Sequence, residues 1–299
     1  MKNKSKIIFI AFFFLSTLLQ SNAQILISNE SIIGFKECFD TSFIKHNKIK
    51  SIAITFSYKK ELQPMKDEYF KKDYFDFDSN GCNTKIISNS TSGISKITWK
   101  KHKNNVLFKI LESEKNTLKT KTYFYENKKK YIQIIGVSKN ENNNLFNTEV
   151  KNYENIETTY FIYDTSKNKT YTKTFLSSKK IPFQKNSYFY KGKKLLKSKT
   201  EHKYFSYKND STFYQYNSFN NLLEKITFFP ADYDTPFYIN INYDNNKIIS
   251  INKFELNSKK LIETQEFLYS KKTDYLHAII TKNTLTKELF IKKYNYTLY

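Results

Sequence analysis

Residues 239–244 alternate without a break: Ile239, Ile241 and Tyr243 fall on one side of an extended chain, and Asn240, Asn242 and Asp244 on the other. Successive side chains of a strand point to opposite faces, so the stretch predicts a strand buried on one face and wet on the other. Phe213-Tyr214-Gln215-Tyr216 reads the same way, with Tyr214 and Tyr216 sharing a face. Asn217, Ser218, Asn220 and Asn221 then supply turn chemistry before the apolar run Leu222 to Phe228, and the whole predicts a hairpin.

That unit recurs. Tyr163, Tyr190, Tyr216, Tyr243, Tyr269 and Tyr296 stand at successive separations of 27, 26, 27, 26 and 27 residues, by subtraction of their numbers. Two positions before each comes a large apolar or aromatic residue on the same strand face: Phe161, Tyr188, Tyr214, Ile241, Phe267 and Tyr294. Phe175, Tyr204, Phe228 and Phe254 lie about midway and predict a second strand in each unit. A strand, a turn, a strand and their connections take about 20 to 27 residues, so each repeat holds one hairpin. A fixed period of this size marks stacked units that share a core.

From Gln24 to about Asn155 the strand signals continue without the clean period. Ile52, Ile54 and Phe56 share a face, and Tyr74 to Gly81 predicts a strand entering an Asn80-Gly81 turn. Further strands are expected at Ile94–Trp99, Val106–Leu111, Tyr123–Tyr125 and Tyr131–Ile135. Lys139 to Asn144 is wholly polar and marks a long loop or a weak boundary. The expected organisation is a targeting segment at 1–23, an irregular β region at 24–155, and a regular hairpin-repeat region at 156–299 continuous with it. The fold class is all-β: an extended antiparallel meander of hairpin repeats, curled or folded over as a single domain.

Tyr243-Asp244-Asn245-Asn246-Lys247-Ile248, Tyr163-Asp164-Thr165 and Phe77-Asp78-Ser79-Asn80-Gly81 resemble the tyrosine-aspartate repeats of Rhs-type secreted proteins. That unit runs Tyr-x-Tyr-Asp, a short Gly-containing turn, a basic residue and an aliphatic one. Here Lys191, Asn217, Ser270 and Thr297 stand in place of Asp in other units, Gly is mostly missing, and the repeat is longer. The resemblance implies architecture, an extended or shell-like sheet in an exported protein, and carries no catalytic residue over.

The first residues set the compartment. Lys2, Lys4 and Lys6 precede an apolar run from Ile7 to Leu19, and Ser21-Asn22-Ala23 offers small residues for cleavage, so export is expected, to the periplasm, the outer surface or the medium. No later stretch is long and apolar enough for a spanning helix. The net charge of +22 comes entirely from Lys, without Arg, in a sequence rich in Lys, Asn, Ile, Tyr and Phe. Without Arg the chain lacks the residue best suited to bidentate phosphate recognition, and export argues against nucleic acid. Lys on exposed strand faces also discourages edge-to-edge aggregation.

Candidate chemistry is sparse. Asp76, Asp78, Asn80 and Gly81 match the first half of a calcium loop, but Ile87 stands where a bidentate Glu is needed, and a hairpin turn explains the same residues. His46, His102, His202 and His277 show no metal-ligand spacing, and no phosphate loop, nucleophile elbow or His-Glu-x-x-His is present, so no cofactor is expected. In an oxidising compartment Cys38 and Cys82 admit one disulfide, worth ~4 kcal/mol for a loop of this length; two unpaired buried thiols are the alternative. Asp232, Tyr233, Asp234 and Phe237 form an acidic, aromatic stretch between Pro230 and Pro236, which cannot lie inside a central ladder. They are the candidate ligand-binding residues, against the reading in which those aromatics pack into the core. The leading expectation is a non-enzymatic exported protein that binds an anionic glycan, a cell-envelope component or a partner protein. An outer-membrane β-barrel and an envelope polysaccharide hydrolase are the alternatives. Oligomeric state has no signature in the sequence.

Overall fold

The computed structural model describes residues 39–89, 95–103, 106–114, 117–126, 130–139, 154–165, 170–176, 181–192, 194–219, 222–230 and 235–299. The targeting segment, Cys38 and residues 231–234 lie outside the described residues. A short helix, α1 (Thr41–His46), precedes eighteen strands. The first nine are β1 (Ile49–Lys59), β2 (Lys66–Phe77), β3 (Asn83–Asn89), β4 (Ser95–Lys103), β5 (Val106–Glu114), β6 (Thr117–Glu126), β7 (Lys130–Lys139), β8 (Glu154–Thr165) and β9 (Thr170–Leu176). The second nine are β10 (Pro182–Lys191), β11 (Lys194–His202), β12 (Asp210–Tyr216), β13 (Leu223–Phe229), β14 (Phe237–Asp244), β15 (Lys247–Glu255), β16 (Leu261–Tyr269), β17 (Leu276–Asn283) and β18 (Leu289–Leu298). The all-β meander expected from the alternation is what forms.

Every strand pairs antiparallel with the next in sequence. The last strand also pairs with the first, from Ile49 opposite Leu298 to Lys59 opposite Leu289. An even number of alternating strands makes this possible, because the first and last then run in opposite directions. The sheet thus closes on itself, and each strand has a partner along both edges. Closure removes the unpaired N–H and C=O groups that make a long edge strand prone to aggregation.

The repeat has a structural cause. At Phe189/Tyr190, Gln215/Tyr216, Asn242/Tyr243 and Leu268/Tyr269 the register shifts by one, leaving Leu196, Glu224, Ile249 and His277 as the extra residues of successive β-bulges. Each period tyrosine then reaches into the preceding hairpin. The hydroxyl of Tyr216 donates to the Leu195 carbonyl at 3.0 Å, Tyr243 to Leu223 at 2.7 Å, Tyr269 to Ile248 at 3.0 Å and Tyr296 to Leu276 at 2.6 Å. The acceptor is in each case the strand partner of the previous period tyrosine, so neighbouring hairpins are clipped together in series. The residues two before, Tyr214, Ile241, Phe267 and Tyr294, are buried on the same face.

One expectation needs correction, and one regularity lies outside the tyrosine count. The same bulge recurs at Asp76/Phe77 and Lys101/His102, with Phe77 and His102 in the place of the tyrosine. Tyrosine periodicity misses them because the position asks for a large ring rather than for one residue type. Tyr204, expected inside a second strand, lies beyond the end of β11 and is exposed, whereas Phe175, Phe228 and Phe254 fall in strands as expected.

The helix was not expected. Asp40 caps it, its carboxylate accepting the Phe43 N–H at 2.9 Å, and that cap is the sequence signal for it. Phe43 and Ile44 bury their side chains against the sheet, Phe43 meeting Tyr275 at 5.7 Å and Phe39 meeting Phe75 at 4.9 Å. Gly81 lets the β2–β3 turn approach the helix: a Cβ there would lie 2.2 Å from the Thr41 carbonyl oxygen, and its φ of +79° is one that L side chains resist. Asn residues do the same work where Gly is missing. Asn245 and Asn246, at φ of 48° and 65°, form the tight β14–β15 turn.

The enclosed face as the candidate functional site

Both faces of the closed sheet carry apolar side chains, and the two differ in burial. Ile52, Ile54, Phe75, Phe77, Tyr214, Ile226, Ile239, Ile241, Ile251, Phe267, Ile279 and Tyr294 share one face by register, and all are buried. This is the enclosed face, and α1 packs into its cluster. The opposite face carries Lys72, Lys85, Lys197, Lys225, Lys282 and Lys293 in mid-strand, interleaved with large apolar side chains, among them Tyr74, Phe213, Phe229, Tyr238, Phe254 and Leu268. Lys292 and Lys293 stand on opposite faces of β18, as their adjacency requires.

Along the barrier between the two ends the enclosed face changes character. The period tyrosines, the short β2–β3 and β14–β15 turns and α1 lie at one end, here the tyrosine end. At the far end, where β1 joins β2 and β11 joins β12, the same face is mixed: Thr200 faces Asp210, Lys253 faces Glu263 and Glu263 faces Asn283, beside the ring pairs Tyr58–Phe290 and Phe228–Phe237. Burial pushes the Asp210 carboxyl above the usual carboxylate range, while a hydrogen bond with Thr200 pulls it back. Burial likewise pushes the hydroxyls of Tyr243 and Tyr269 up to about 12, so both remain donors across the physiological range.

Of the sequence-predicted ligand residues, Asp232, Tyr233 and Asp234 lie outside the described residues. Phe237 opens β14 on the enclosed face, half-buried, with Phe228 at 5.1 Å and the Lys253 ammonium 4.0 Å above its ring. It packs inward, which takes it out of an exposed stacking platform. Pro230 follows the end of β13 and Pro236 precedes the start of β14, and these two strands pair.

Asp78 is spent on its own turn. Its carboxylate accepts the Asn80 and Cys82 N–H groups, each at 2.9 Å, and among the described residues no three metal-ligating side chains come together. Asp76 and Asn80 stand with it as turn and strand residues, not as a ligand set. Cys82 is a buried thiol without a disulfide among the described residues, and burial raises its pKa. Sequence reading passed over His102, which takes a bulge position normally held by a ring; burial lowers its pKa, and its Nδ1 has no hydrogen-bond partner.

No protein-family model and no curated protein matches the chain. Among solved structures it is similar to a porin-like protein from Bacteroides uniformis, at 10% identity over 84% of this chain and 97% of that one, with a TM-score of 0.35. A porin-like protein from Bacteroides vulgatus is 11% identical over 81% and 97% of the two chains, also at 0.35. A LolA superfamily protein from Nitrosomonas europaea is 8% identical over 85% and 87%, at 0.22. TM-scores this low define neither a shared fold nor a shared activity.

Proposed function

We propose that the chain is an exported, non-enzymatic carrier that holds the apolar part of a lipid-like ligand against the enclosed face of its closed sheet. The observation behind this reading is where the buried apolar cluster sits: on the enclosed face, while the outward face interleaves its rings with Lys. About eight strands make a ring that side chains can fill, and the interior widens roughly in proportion to strand number. Eighteen strands make a ring of the size that leaves a lumen, and among the described residues the buried cluster lies on α1, β1, β2 and β12 to β18. The remaining described lining, such as Tyr188, Ser198 and Thr200, is half-buried. An apolar lining suits acyl chains, and the polar pairs among the rings at the far end suit a headgroup.

The outer-membrane reading asks for an outward apolar band free of charge; the outward rings Phe213, Phe229, Tyr238 and Phe254 suit it and the Lys between them do not. Each Lys on a lipid-facing surface costs ~2–4 kcal/mol at the bilayer midplane, and several outward strands here carry one. The tyrosine-aspartate likeness supports the architecture of a secreted repeat sheet and adds no chemistry. The test is uptake of a fluorescent long-chain fatty acid by the chain from Gln24 onward, purified without detergent. Saturable uptake of about one to a few probes per chain, competed by unlabelled lipid, is expected. A protein folded by circular dichroism that takes up no acyl probe refutes the carrier, and one that stays in solution only with detergent favours the membrane barrel.

A further inference from the structure

Exposed apolar side chains gather at the far end of the ring. The β11–β12 connection holds Tyr204, Phe205 and Tyr207 at 59%, 47% and 41% exposure. This connection is built rather than loose: a 3₁₀ turn runs from Ser206 to Lys208, the Lys203 N–H donates to the Phe183 carbonyl at 3.0 Å, and Asn209 accepts the His202 N–H at 2.7 Å. Phe205 and Tyr207 meet edge to face at 5.8 Å, with the Lys208 ammonium 4.8 Å from the Phe205 ring. A second apolar tip stands where β1–β2 and β17–β18 lie side by side, bearing Leu62 and Leu285. Ion pairs Lys287–Glu61 at 2.9 Å and Lys60–Glu288 at 3.6 Å tie those two connections together.

The two tips stand apart round the ring at the same end of it, so one flat surface can meet both. Among the described residues of these connections and of β15–β16, the carboxylates Glu61 and Glu288 are matched by Lys287 and Lys60. Lys203, Lys208, Lys259 and Lys260 are in excess. Aromatic rings beside Lys are the chemistry of the membrane–water interface, where rings sit at headgroup level and ammonium groups meet anionic lipid. Each Lys near such a surface contributes about 1 kcal/mol of attraction.

We infer that the far end docks on the surface of an anionic phospholipid bilayer, setting that end of the enclosed face against the headgroups. The docking goes beyond the carrier reading and stands on different residues. The experiment is co-sedimentation of the chain from Gln24 onward with phosphatidylethanolamine–phosphatidylglycerol vesicles and with phosphatidylcholine vesicles. Binding to the first and not the second is expected, together with loss at about 1 M salt, where the Debye length is ~3 Å. Phe205→Ser with Tyr207→Ser, and separately Leu62→Ser with Leu285→Ser, are each expected to weaken binding about tenfold. Phe219→Ser, 95% exposed on the β12–β13 connection at the tyrosine end, is expected to leave it unchanged. No binding to anionic vesicles, equal loss in the Phe219 variant, or concentration-dependent self-association abolished by the far-end variants would each overturn the inference. Uptake of a soluble acyl probe by these variants reads the enclosed face alone, so the failure of docking and the failure of the carrier are separately visible.

Discussion

Replacing Tyr243 with Phe removes one oxygen and keeps the ring. The lost hydroxyl donates to the Leu223 carbonyl at 2.7 Å, across the strand pair that joins one hairpin to the next. An unmade bond to a half-buried carbonyl costs about 1–3 kcal/mol, and a Phe in the same place keeps the packing, so the loss reads the hydrogen bond alone. Equilibrium denaturation in urea should show the midpoint falling by that amount at constant slope. Tyr269→Phe should match it, since its 3.0 Å bond to Ile248 is the same contact one repeat on. Tyr204→Phe, on an exposed ring, should change little. The pH dependence follows the same residues. Because burial raises the folded pKa of Tyr243 and Tyr269 from about 10 to about 12, their contribution is complete below pH ~10 and is lost as pH rises through that interval. Alkaline unfolding of the wild type should lie there, with tyrosinate absorbance of the buried rings appearing only as the chain unfolds. Single Phe variants within ~0.3 kcal/mol of the wild type would show that the period records packing of rings and not a series of clips.

Gly81→Ala should destabilise far more than Gly192→Ala. Both have positive φ, worth about 1 kcal/mol to an L residue, but a Cβ at 81 also strikes the Thr41 carbonyl while nothing lies within 4 Å of 192. Thermal denaturation of the two variants side by side checks this, and equal losses would mean that α1 does not rest on the β2–β3 turn. Asp40→Ala should cost about 0.5–2 kcal/mol through loss of the cap, with limited proteolysis at α1 rising in step.

Much of the architecture was legible because it is local. Alternation with period two placed the strands, since a slip of one residue would carry Ile239 and Ile241 from the buried face to the wet one. The tyrosine spacing announced one hairpin per repeat, because each ring must meet the bulge of the hairpin before it. Proline chemistry kept Pro230 and Pro236 out of the strands, and both stand just outside β13 and β14. What local pattern cannot carry is the partner of the last strand. Closure depends on curvature summed over all eighteen strands, and the β1–β18 pairing joins residues more than two hundred apart. The inward packing of Phe237 followed from that closure, as did the helix seated on the enclosed cluster and the placing of Leu62 beside Leu285. Alternation shows that a strand has one dry face, but whether that face looks into the ring or out of it is settled only when the ring exists.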